Sequence, residues 1–220
     1  MDNFTIISPN MIKIFLDCPA KFYYKYSEQI PTPVLDKSFK TGKKIHALAS
    51  YYLKNFDIKN FEQVLTPVEH NMWDLLKNSK YFSYKTEGIE KSMACNLGKY
   101  HIGGRIDAIV QDNNKYYILD YKTGGIKNDM TFDPQTMVYL LLCDKYFKEY
   151  DELWFVYLDL KNEKETKILF TPELKNQYLE KLEKICRGIY EFNLNKYSPA
   201  FDTNTCKCEF TKLCKYKREY

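Results

Sequence analysis

Between Tyr100 and Lys122 the sequence alternates with a period of two, the repeat of a strand and not of a helix. The alternation breaks once, at Asp112-Asn113-Asn114-Lys115, where Asn tolerates the left-handed backbone that tight hairpin turns demand. A turn centred between Asn113 and Asn114 pairs residues whose numbers sum to 227, and Asp107 and Asp120 meet that condition. The two carboxylates then stand opposite each other on one face, and Lys122, two residues past Asp120, joins them. Paired carboxylates repel unless a cation lies between them, and a hard divalent ion such as Mg²⁺ takes oxygen ligands while keeping several waters. A water of that ion can become a nucleophile, the ion can stabilise charge on a phosphate, and Lys122 can orient the water. The same residues also fit a surface hairpin whose charges face solvent, with Asp120 and Lys122 a weak exposed pair.

The flanking sequence predicts helices around this hairpin. Ser8-Pro9, Thr66-Pro67 and Asp133-Pro134 are each an N-cap followed by a first-turn proline. They open helices through Cys18, to about Leu76, and through Gln135, Met137, Tyr139 and Leu142. A further helix is expected from about Lys40 to Tyr52, carrying Gly42 and His46, and a long one from about Pro172 to Asn193. Glu152 to Leu160 reads as a strand, with a partner near Thr166 to Phe170. Helices around a short mixed sheet make an α/β (α+β) fold. No repeat, low-complexity tract or linker divides the chain, so residues 1–220 read as one domain large enough to bury a core.

Net charge and cysteine usage narrow the partners. A charge of +4 permits nucleic-acid binding without demanding it. No apolar run approaches the roughly 20 residues of a membrane helix. The N-terminus also lacks the basic and apolar regions of a signal peptide, so the cytoplasm is the expected compartment. Seven cysteines in that compartment point to metal ligands more than to disulfides. Cys206, Cys208 and Cys214 crowd together, whereas Cys95, Cys143 and Cys186 sit in apolar or helical contexts and read as packing residues.

Taken in order, Gly42-x-x-x-His46, Gly104-Arg105-Ile106-Asp107, Asp120-Tyr121-Lys122 and Gln135-x-x-x-Tyr139 resemble the motifs of RecB-like PD-(D/E)XK nucleases. Ser8-Pro9 leading to Cys18-Pro19 and Phe22-Tyr23-Tyr24 is similar to the opening of that family. The resemblance implies a restriction-endonuclease-like core and a Mg²⁺- or Mn²⁺-dependent deoxyribonuclease. Its metal ligands would be His46, Asp107, Asp120 and the carbonyl of Tyr121. Lys122 would be the catalytic lysine, with Gln135 and Tyr139 supporting the site or the DNA strand. Without the resemblance, His46 reads as a packed or solvated histidine, Tyr139 as core and Gln135 as a helix cap.

The resemblance further implies that Cys18, Cys206, Cys208 and Cys214 hold a [4Fe–4S] cluster, with zinc as the alternative, joining residues 1–30 to 200–220. Cys206-x-Cys208 departs from the family's Cys-x-x-Cys. Lys212, Lys215, Lys217 and Arg218 would set positive charge beside it. The expected substrate is DNA, single-stranded or with single-stranded ends. The size is similar to CRISPR-associated RecB-like nucleases that work beside integrase proteins. A phage or repair exonuclease, or a non-catalytic iron–sulfur scaffold, are the other readings.

Overall fold

The computed structural model describes residues 6–32, 40–126, 129–199, 206, 208–214 and 216. Among the described residues, four helices open on an N-cap whose side-chain oxygen accepts a backbone N–H, followed by proline in the first turn. These are α1 (Pro9–Asp17), α5 (Pro67–Lys77), α6 (Pro134–Tyr146) and α7 (Pro172–Glu191). At α5 the cap is a full box, with Thr66 and Glu69 each holding the other's backbone N–H. The remaining α-helices among the described residues are α2 (Pro19–Phe22), α3 (Lys40–Leu53) and α4 (Lys59–Glu62).

The strands are β1 (Lys85–Leu97), β2 (Tyr100–Asp112), β3 (Lys115–Lys122), β4 (Glu152–Asp159) and β5 (Lys164–Leu169). Among the described residues they form one sheet in the order β1-β2-β3-β4-β5. The β3–β4 pair is parallel and the other pairs antiparallel. A parallel pair needs a crossover, and α6 provides it. Unlike an amphipathic surface helix, α6 is buried on every side from Thr136 to Cys143, packed between the sheet, α1 and α7.

Two apolar layers follow, one on each face of the sheet. One contains Ile109, Ile118 and Phe155 under α6 and α7; the other contains Ala108, Val110, Leu119 and Val156 under α3 and α5. This mixed, helix-flanked sheet is the expected fold class. The hairpin register also matches, since Ala108↔Leu119, Val110↔Tyr117 and Asp112↔Lys115 are paired, with Asn113 at a φ of 54° in the turn. The 13-residue strand β1 has no counterpart in the sequence reading.

Candidate active site

Asp107 is skipped by both of β2's ladders. On the β3 side, pairing stops at Ala108↔Leu119. On the β1 side it passes from Ile89↔Ala108 to Lys91↔Ile106. The residue left opposite Asp107 is Glu90, held at a φ of 49°. That left-handed backbone is costly for a residue with a Cβ and persists where the surroundings impose it. Freed from the ladder, the Asp107 carboxylate takes the role of a partner itself, accepting from the Tyr121 backbone N–H at 3.4 Å.

His46, on α3, ties this group together. Its Nδ1 lies 3.2 Å from Asp107 Oδ1, and its Nε2 lies 2.9 Å from the Tyr121 carbonyl oxygen. Both partners are acceptors, so the arrangement favours a proton on each ring nitrogen and hence a positive charge on the imidazole. Burial works against that charge, but the hydrogen bond and negative charge of Asp107 and the Tyr121 carbonyl outweigh it, and the His46 pKa is raised. One ligand atom each from His46, Glu90 and Asp107 falls within a common 4.8 Å.

Asp120 stands beside them in a different environment, only 3% exposed. Burial pushes its carboxyl up to about 6; Lys122 pulls the other way, and Asp107 adds to the rise. Gln135, in the first turn of α6, spans the pair. Its Nε2 donates to Asp120 Oδ1 at 3.0 Å, and its Oε1 accepts from Lys122 Nζ at 2.7 Å. Lys122 Nζ is also 2.8 Å from Asp120 Oδ2. One turn further along α6, Tyr139 donates its hydroxyl to the Arg105 carbonyl at 2.9 Å. Its ring leaves no room for a side chain at Gly104, where a Cβ would come within 2.7 Å of Tyr139 Cε1. Gln135 and Tyr139 thus pin β3 and β2 to one helix.

These residues line an open cleft of about 770 Å³, bordered by α3 and by the turn at Thr123 to Gly125. The expected His46, Asp107, Asp120, Tyr121, Lys122 and Gln135 all border it, with Tyr139 just behind. Glu90 and Arg105 join them, their side chains paired at 2.8 Å. Glu90 has no place in the sequence reading. Its one signal is an acid beside a glycine-containing, irregular stretch, Thr86-Glu87-Gly88-Ile89-Glu90. Two oxygen donors and an imidazole, next to a buried carboxylate that resists ionising, suit a divalent cation.

The four expected cysteines meet elsewhere. Cys18, Cys206, Cys208 and Cys214 line one small enclosed cavity walled by Tyr24, Tyr197 and Phe210. Cys18 caps α2, its Sγ accepting from the Lys21 N–H at 3.4 Å. Tyr24, following α2, donates to the Leu213 carbonyl at 3.2 Å, so the two segments meet there. Cys143 and Cys186 are fully buried and Cys95 partly so, and burial raises all three thiols, as inert packing residues require. Lys212 is described and borders the same turn; Lys215, Lys217 and Arg218 lie outside the described residues. No helix among the described residues is long and apolar enough to cross a membrane.

A family model described as the PD-(D/E)XK nuclease superfamily matches residues 6–218. The CRISPR-associated exonuclease Cas4 of Francisella tularensis subsp. novicida (strain U112) is 23% identical over 213 residues, covering 97% of this chain and 95% of that protein. The solved structure of a Eubacterium rectale protein assigned as an exonuclease shares the fold. It has a TM-score of 0.61 at 12% identity and covers 98% of this chain and 90% of that one.

Proposed function

Because the chain belongs to the PD-(D/E)XK nuclease superfamily, we propose that it hydrolyses DNA phosphodiester bonds at strand ends, with Mg²⁺ or Mn²⁺ as cofactor. The observation that carries this reading is the single cleft in which His46, Asp107, Asp120, the Tyr121 carbonyl and Lys122 are linked by short hydrogen bonds. His46, Asp107, Asp120 and the Tyr121 carbonyl would hold the ion, and Glu90, grouped with His46 and Asp107, lies close enough to complete the set. The ion supplies Lewis-acid stabilisation of phosphate charge and makes a water more acidic. Lys122 orients that water and the phosphate. Gln135 keeps the lysine aimed, because its amide oxygen has no other charged partner within the pair it bridges.

Likeness to the CRISPR-associated exonuclease Cas4 over nearly the full length of both chains supports a CRISPR context; in this reading integrase proteins are the partners and the cytoplasm is the compartment. Residues 1–220 act as one domain in this reading. Its ends are closed by a [4Fe–4S] cluster on Cys18, Cys206, Cys208 and Cys214, whose shared cavity supports that assignment. The test is cleavage of DNA labelled at either end, single- and double-stranded, with Mg²⁺ or Mn²⁺ by protein purified without oxygen. Metal-dependent cleavage lost in both Lys122→Ala and Asp120→Ala is the expected result, and the two labels give polarity. Folded, DNA-binding protein that cleaves nothing with either ion rejects the reading. Brown protein with absorbance near the visible region identifies iron and sulfide, whereas colourless protein with bound zinc rejects the cluster.

A further inference from the structure

The face of α3 that borders the cleft continues beyond it. Lys43 and Ala47 line the cleft and also a second groove of about 290 Å³, whose other walls include Phe61 and Val64. Tyr51, one turn further along α3, and Lys54, just past its end, extend the cleft's edge. Tyr51 stacks on Phe61 with centroids 5.1 Å apart and planes at 22°, and Phe56 leans on Tyr51 at 5.8 Å. These rings are exposed: Tyr51 by 38%, Phe56 by 58% and Phe61 by 47%. The apolar layer beneath is completed without them, by Leu48, Leu53, Ile58 and Trp73 with Tyr52 and Leu65 against it. A contiguous exposed aromatic patch that the core does not need marks a contact surface.

The occupant is indicated by charge and by continuity. Exposed Lys43 and Lys54 share the stripe with Tyr51, so rings and cations interleave along a path that starts at the nuclease cleft. Base faces are hidden inside a duplex and open in a single strand, where aromatic rings stack on them and lysines meet the phosphates. We propose that Tyr51, Phe56 and Phe61 form a base-stacking platform for single-stranded DNA leaving the cleft, with Lys43 and Lys54 against its backbone. The assignment rests on the nuclease reading and gives it a substrate form: a single strand, or a duplex end frayed into one.

The test measures binding by fluorescence anisotropy without divalent cation, so that nothing is cut. Its probes are a single-stranded oligonucleotide, the same length of abasic strand, and a blunt duplex. Tyr51→Ala and Phe61→Ala are each expected to weaken single-strand binding by about 5- to 100-fold, while binding of the abasic strand changes less than about twofold. Tyr51→Phe retains the ring and the affinity. Unchanged single-strand affinity in both alanine variants overturns the proposal. So does an equal loss on abasic strand and duplex, which leaves the rings to a protein partner or to packing. Cleavage by the unaltered protein is assayed in parallel. Ring-dependent binding without any cleavage sinks the nuclease reading and spares the platform; cleavage with ring-independent binding does the reverse.

Discussion

The cleft and the cysteine cavity both bring together residues far apart in sequence, but by opposite means. In the cleft every group is held by another group of the cleft: His46 by Asp107 and the Tyr121 carbonyl, Lys122 and Asp120 by Gln135. Sheet and buried helix set their positions, so the constellation stands before any ion arrives. The four cysteines instead come from a helix cap and a run of turns, tied to each other by the Tyr24–Leu213 hydrogen bond and the partly exposed Lys21–Glu209 ion pair. A site built on ladders is preorganised. A site built on turns takes its stability from what fills it.

The sharpest way to break this contrast is Lys122→Ala. It is expected to lower the cleavage rate by about a thousandfold, within the range that positioned proton-transfer and electrostatic groups contribute. Melting temperature and visible absorbance should stay as they were, and a fall in either means that the two regions are not separate. Cys208→Ala should do the converse. If the proposed cluster is present, losing one of its four cysteines is expected to cost about 3 kcal/mol, or roughly 6–12 °C in melting temperature for a chain of this size. A variant that melts normally yet loses cleavage would show that the cysteines serve the reaction and not the fold.

Gln135→Ala sharpens the claim of preorganisation. With its bridge gone, cleavage should fall about 10- to 100-fold with metal affinity little changed, as measured by calorimetry. The smallest effect expected is that of pH. The Asp120 carboxyl titrates at about 6 in the folded protein, above its unfolded value. Its contribution to stability is therefore greatest in acid and is lost as pH rises through about 6. A divalent ion competes with that proton, so the melting-temperature gain from Mn²⁺ should grow between pH 5 and 7. In Asp120→Asn that growth should shrink to the part due to His46, whose proton also competes with the ion; growth unchanged by the substitution would show that Asp120 is no ligand.

Much of the cleft was legible because it lies on regular structure. A two-residue Asn turn and strict alternation determine which residues pair, and the observed register is the one the turn implies. The caps at Ser8, Thr66 and Asp133 mark helices because a side-chain oxygen followed by proline satisfies the first N–H groups. Glu90 was not legible, because its place depends on a backbone departure. The bulge between Thr86 and Gly88 and the left-handed Glu90 disrupt the alternation by which β1 would be recognised. The roles of Gln135 and Tyr139 came from resemblance alone, since an all-round buried helix has no period that singles out a face. The ring cluster of Tyr51, Phe56 and Phe61 was hidden for a related reason: aromatic residues read as core until a fold leaves them outside it.

The ring of Tyr139 over Gly104 also bears on how such a chain can change with time. The glycine is required by its neighbour and not by its own backbone, since the nearest obstacle to a Cβ there is the Tyr139 ring. Positions 104 and 139 therefore share one space. A descendant that gains a side chain at the first can accommodate it by shrinking the second, and then forfeits the hydroxyl that holds the Arg105 carbonyl. Position 104 can gain a side chain only once position 139 has lost its ring, and every such path passes through a variant in which α6 has lost its hydrogen bond to β2.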